Sequence, residues 1–264
     1  MQILLRNISS ASGVRGYSVH RTSSAVRARL AKRVERRYTH HHPRIPQPWN
    51  MLHRRINWPF IGANGLVFLW WGRAKMRADE GLRAKSADPS HYEAVRYMID
   101  NYTLSIRNLR EGRWYTILTS AISHYDFSHL IFNMISFNTF TRCAIEIGGL
   151  RAPTILALGV GSAIASGTAW IFEWYRKGTY DMSGLGASGV VSGIGSAMAC
   201  MMPKQRFNVF FIPVGIPLWA LMLGYIAYDS YGVRRPEKSN IGHAAHLGGA
   251  AFGALFYALR LRRW

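Results

Sequence analysis

Acidic residues are scarce in this chain. Thirteen Asp and Glu stand against 33 Lys and Arg in 264 residues, a formal net charge of +20. Such an imbalance usually suits nucleic acid or an anionic membrane surface. Here the charge is not spread evenly: residues 1–56 hold twelve Lys/Arg and one acid, Glu35. Cysteine is scarcer still. Cys143 and Cys200 both sit inside apolar segments, so neither a disulfide framework nor a zinc site is expected. No repeat with a period of 20–50 residues occurs, which argues against a solenoid. What the chain does have is apolar surface, 49% of residues, concentrated after residue 56.

The head, MQILLRNISSASGVRGYSVHRTSSAVRARLAKR, mixes Arg, Ser and small apolar residues and contains no acid. It lacks the apolar core of a secretory signal and has the composition of a mitochondrial transit segment. Residues 1–45 are therefore expected to be a targeting leader, disordered or cleaved. The competing reading is a basic arm that binds RNA or lipid headgroups. The His40–His42 run lies in this leader without defined partner ligands, so no metal is expected there.

Beyond it, six apolar segments cover roughly 58–72, 115–141, 153–174, 185–202, 209–231 and 242–260. Each can approach the ~20 residues that a ~30 Å hydrocarbon core requires. Backbone groups in lipid must be satisfied internally, so these segments are expected to be helices. The first is short, with tryptophans at both ends. A charged stretch from Arg73 to Arg113 follows, in which HYEAVRYMIDNYTL (91–104) suits an amphipathic helix lying on the membrane. Pro213 and Pro217 should distort the start of the fifth segment. The expected fold is an all-α membrane protein, a six-transmembrane-helix bundle over residues 55–261. The basic residues flanking the segments weakly favour both ends on the matrix side.

Helices two, four and six would cross in one direction, and each carries polar residues in its first turns. His129 and Asn133 are four apart on one helical face, with Asp126 as a candidate N-cap. Ser188 opens helix four; His243 and His246 open helix six. Polar groups at membrane depth are costly and point to function. A neutral imidazole can take the proton of a serine hydroxyl, and attack on an amide then needs oxyanion donors in a dry site. Asn133, His129 or backbone N–H groups at a helix N-terminus could supply them. No carboxylate adjoins these motifs in sequence, so an unaided Ser–His dyad is expected. Gly189 directly follows Ser188, unlike the nucleophile elbow of α/β-hydrolases. Ala245, Gly249 and Gly253 form one small-residue stripe, and Gly184, Ser188, Ser192 and Ser196 another, so helices four and six should pack face to face, aiming His246 at Ser188. His243 reads as a loop-end residue and His124 as interfacial.

On these residues the chain resembles the rhomboid intramembrane serine proteases. The matching motifs are H-x-x-x-N (His129 to Asn133), G-x-S-G (Gly186 to Gly189) and A-H-x-x-G-x-x-x-G (Ala245 to Gly253), in the family's order. The resemblance implies Ser188 as nucleophile and His246 as general base, with His129, Asn133 and Gly186 around the oxyanion and substrate. With the leader, it implies a mitochondrial inner-membrane member that cuts transmembrane protein substrates in the lipid bilayer, among them an inner-membrane dynamin-like GTPase and imported precursors. No cofactor, metal or nucleic acid is implied. Two departures stand out. Arg113-Trp114 reverses a pair common in the first loop, and Ser192 replaces a frequent aromatic four residues after the nucleophile. Two other readings are a non-proteolytic rhomboid-like protein that binds transmembrane clients, and a transporter using His129, Asn133 and His246 as a polar path. The transporter would spread polar groups across the whole membrane depth, whereas these cluster near one face.

Overall fold

The computed structural model describes residues 52–86, 88–180, 182–208, 214–234 and 241–262. The leader, with its His40–His42 run, lies outside the described residues.

The first helix outruns its apolar segment. α1 (Leu52–Arg83) has 32 residues. Past the tryptophans it continues through Arg, Ala, Lys, Met and Glu, all strong helix formers, with no stop signal. The charged connection expected from Arg73 therefore begins only after Arg83. Within it lies α2 (Ser90–Tyr102), close to the expected amphipathic helix; its Met98 is buried against Val67, Trp71 and Ala74 of α1. The Ser105 side chain then caps α3 (Ile106–Arg110) by accepting the Asn108 N–H at 3.1 Å.

The second apolar segment is not one helix. α4 (Thr116–Thr119) runs into a 3-10 turn at Ser120–Ile122 and stops. Asp126, in an extended conformation, accepts the His129 N–H at 2.9 Å, so α5 (Phe127–Glu146) starts afresh behind an N-cap. α6 (Ala152–Arg176) follows. Among the described residues it alone is long and apolar enough, by length and composition, to cross a membrane. α7 (Ser188–Met201) is apolar but shorter.

The fifth segment is distorted at its start, as expected from Pro217. β1 (Arg206–Asn208) pairs antiparallel with β2 (Gly215–Pro217), Phe207 lying opposite Ile216. A residue before proline favours extended backbone, so Ile216 stays in the strand and α8 (Leu218–Arg234) begins right after Pro217. Pro213 lies outside the described residues. α9 (His243–Phe256) ends in a π turn, Tyr257–Leu261.

The core forms around α7. From Gly189 to Met198 only Ser192 is not buried, as expected of a helix that is apolar all round. Phe137 and Phe140 of α5, Leu158 of α6, and Leu218 and Met222 of α8 pack with Val190, Ile194 and Met198. On the α9 side the approach is by backbone: a methyl group on Gly249 would fall on the Gly189 carbonyl, and one on Gly253 on the Gly193 carbonyl. The face-to-face packing of these two helices is therefore present, but the stripe on α7 is Gly189 and Gly193, one position past the expected Ser188–Ser192–Ser196 row. Those two glycines also leave room for the Ser166 and Ser162 hydroxyls of α6.

α1 is fastened through side chains instead. Phe60 stacks on Phe137 with ring centroids 4.1 Å apart. Asn57 Nδ2 donates to Asn138 Oδ1 at 2.7 Å, and Thr141 Oγ1 donates back to Asn57 Oδ1 at 2.8 Å. Farther along, the Trp71 indole N–H donates to Ser123 Oγ at 2.8 Å.

Candidate active site

Ser188 is the first residue of α7, and the chain leading into it is held at several points. Leu104 and Gly184 exchange both backbone hydrogen bonds, each 2.8 Å. The Gly186 N–H donates to the Ser120 carbonyl at 2.9 Å, and the Ala187 N–H donates to His124 Nε2 at 3.3 Å. Gly186 adopts φ +127°, a region that glycine alone occupies readily. A Cβ there would also lie 2.6 Å from Cε1 of His129. The first glycine of G-x-S-G thus meets two demands, one of backbone and one of space.

No side chain caps α7. The Val191 N–H bonds to the Ala187 carbonyl at 3.0 Å, so the amides of Ser188, Gly189 and Val190 precede the first intrahelical bond. Such amides, at the positive end of a helix, suit a developing negative charge.

His246, in the first turn of α9, places Nε2 2.8 Å from Ser188 Oγ. Its Nδ1 lies 3.1 Å from Oδ1 of Asp229 on α8. The expectation that no carboxylate would accompany the histidine therefore fails. Asp229 is only 4% exposed, and the same oxygen lies 2.7 Å from His243 Nδ1. An ionised carboxylate there can only accept, which calls for a proton on each Nδ1. A neutral His246 so protonated would turn its Nε2 lone pair toward the hydroxyl, the arrangement in which an oriented imidazole can take a serine proton.

Three further placements complete the picture. His243, expected at a loop end, is buried and begins α9, because the end of α8 folds over it. His124, expected at an interface, is fully buried beneath the Gly186–Ser188 approach. Asn133 is buried, and its Nδ2 donates to the His129 carbonyl at 2.8 Å, leaving a second N–H. His129 and Asn133 line a cavity of about 880 Å³ together with Gly186, Ser188 and His246. Away from the serine, that cavity is walled by Phe132, Ser136 and Phe140 of α5 and by Leu221, Met222 and Tyr225 of α8. Gly249 and Gly253 stay outside it, as packing residues.

Asp229 is the residue that sequence reasoning missed. A signal existed: it is the only acid between Asp181 and Glu237. It also sits near the end of α8, which the short connection to α9 places beside His243 and His246.

Residues 111–263, more than half of the chain, match the Rhomboid domain family. The chain belongs to the rhomboid family. All three motifs of this rhomboid fall inside the matched residues, whereas α1 and α2 precede them. The RHOMBOID-like protein 12, mitochondrial, of Arabidopsis thaliana is 35% identical over 180 residues, 63% of this chain and 52% of that protein. The Presenilin-associated rhomboid-like protein, mitochondrial, of Rattus norvegicus is 29% identical over 212 residues, 78% of this chain and 49% of that protein. The Rhomboid protein 1, mitochondrial, of Saccharomyces cerevisiae is 31% identical over 144 residues, 53% of this chain and 40% of that protein. This rhomboid spans about half the length of the curated relatives it matches. Its reversed pair is split in role: Arg113 Nη1 donates to Asn108 Oδ1 at 3.1 Å, while Trp114 is exposed.

Proposed function

We propose that this rhomboid is an intramembrane serine endopeptidase. The observation that carries the reading is the 2.8 Å approach of His246 Nε2 to Ser188 Oγ at the mouth of an uncapped helix, inside a cavity. Ser188 Oγ attacks the scissile carbonyl while its proton passes to His246 Nε2. Asp229 holds the ring through Nδ1 and offsets the positive charge that forms there. The first amides of α7, with Asn133 and His129, face the oxyanion; in such sites one donor is worth about 10²–10³ in rate. The imidazolium then gives its proton to the leaving amine, and water hydrolyses the acyl-serine through the same base.

In this reading α1, α5, α6, α7, α8 and α9 are the six spans. The 14 residues of α7 rise about 21 Å, less than a ~30 Å hydrocarbon core. Ser188 therefore lies below one membrane face, and the non-helical chain before it is tolerated because it lines a cavity. A substrate transmembrane segment, unwound near that face, enters between the α5 and α8 walls. The basic, Arg- and Ser-rich leader and the mitochondrial names of the relatives support placement in a mitochondrial membrane, the inner one in our reading. Imported precursors and an inner-membrane dynamin-like GTPase are the proposed substrates.

The test is cleavage of a generic transmembrane substrate in liposomes by wild type, Ser188→Ala and His246→Ala. Loss of cleavage in each variant supports the mechanism. Cleavage that survives Ser188→Ala overturns it. A wild type that cuts nothing, while an active rhomboid in parallel does, supports instead a protein that binds transmembrane clients.

A further inference from the structure

Asp229 is shared. His243 Nδ1 approaches its Oδ1 at 2.7 Å and His246 Nδ1 approaches the same atom at 3.1 Å. A serine–histidine relay needs one histidine on its carboxylate, so the second has no part in the reaction as described. The ligand-capable atoms of the three residues all lie within 4.8 Å of one another. Zinc bonds of ~2.0–2.2 Å in tetrahedral array set neighbouring ligand atoms about 3.3 Å apart. The His246–Asp229 separation, 3.1 Å, is close to that value; the His243–Asp229 separation, 2.7 Å, is shorter, so these two side chains must part slightly to admit the ion. Two imidazoles and one carboxylate form a common donor set for a catalytic-type zinc site, whose fourth position is left to water. Here the cavity that His246 lines would supply that water. Gly232 makes room for the His243 ring: a methyl group on it would overlap the imidazole.

We propose that Asp229, His243 and His246 form an inhibitory zinc site. The chemistry of inhibition follows from the tautomer. Without metal, His246 carries its proton on Nδ1 and presents a lone pair from Nε2 to Ser188. Zinc bonds the Nδ1 lone pair, so the Nδ1 proton is displaced and the ring stays neutral by holding its proton on Nε2, where the free lone pair had been. The proton then points at Ser188 Oγ, and the base cannot accept another. The same ion takes up the carboxylate that would offset an imidazolium. The metal thus disables the base without touching the serine. The inhibitory consequence rests on the protease reading; the binding does not.

Two measurements separate them. The first uses untagged full-length chain in detergent with His40, His41 and His42 changed to Ala, which removes the leader's rival ligands. In a Ser188→Ala background, equilibrium dialysis against buffered zinc chloride should find about one zinc per chain, and His243→Asn or His243→Gln should weaken it at least about tenfold. The second follows cleavage against free zinc in the same chain with Ser188 intact. Zinc should inhibit, EDTA should reverse it, and each His243 variant, scored against its own metal-free rate, should need at least about tenfold more zinc. Absence of binding at about 100 µM free zinc overturns the site. So does binding or inhibition indifferent to both His243 variants, which would place the zinc elsewhere. A chain that binds zinc with the expected His243 dependence but cleaves nothing leaves the site standing and removes the protease reading.

Discussion

Where α7 and α9 cross at Gly189–Gly249 and Gly193–Gly253, the helices meet backbone to backbone, with glycine on both sides and no side chain between them. At α1–α5 they meet through Asn57, Phe60, Asn138 and Thr141, with ring stacking and a pair of amide hydrogen bonds. The first contact fixes the distance between Ser188 and His246 because nothing in it can bend out of the way. The second can lose a group and relax. A catalytic pair whose members lie on different helices needs the first kind of contact, and a peripheral helix can use the second.

Four substitutions probe that contrast, from the largest expected effect down. Gly253→Leu drives a side chain into the Gly193 carbonyl and should cost about 4 kcal/mol or more, seen as loss of folded protein in a detergent melt. Asp229→Asn keeps the volume but lets the base lose its orientation. On the proposed mechanism kcat should fall about 10²–10³-fold, roughly 3–4 kcal/mol, with little change in KM. An unchanged kcat would make Asp229 a structural residue only. Thr141→Val leaves Asn57 Oδ1 without this donor in a buried place, and should lower stability by about 1 kcal/mol. Ser123→Ala removes only the hydroxyl that accepts the Trp71 indole N–H and should cost about 0.6 kcal/mol, near the mean for hydrogen bonds between membrane helices. Should Thr141→Val prove as damaging as Gly253→Leu, the contrast between the two contacts would collapse.

Much of the site was legible because its residues announce themselves by spacing. His129 and Asn133 share a helical face, Ser188 sits between glycines, and His246 precedes Gly249 and Gly253 on one stripe. Helical period and common direction bring these together without tertiary information. Asp229 was not read because it lies seventeen residues from His246. An acid near the end of an apolar run looks like an ordinary helix end; only the fold-back of α9 along α8 makes it a partner. His124 was misplaced for a similar reason, since its burial comes from the Gly186–Ser188 approach laid over it. In the fold, the apolar runs were found but their ends were not. Hydropathy does not see that Arg, Lys and Glu prolong α1 to Arg83 or that the second run breaks after Ile122; the Asp126 cap and the Pro217 distortion were legible from residue type instead.

The bridge between Leu104 and Gly184 has unequal ends. It is made of backbone groups alone, so at position 104 any residue with an amide hydrogen preserves it, and only proline would break it. Position 184 has no such freedom, because a Cβ would lie 2.6 Å from the Trp170 ring. Among related chains this tether should therefore leave a fixed glycine facing a partner that varies only among buried apolar residues. Covariation between the two positions would miss it altogether.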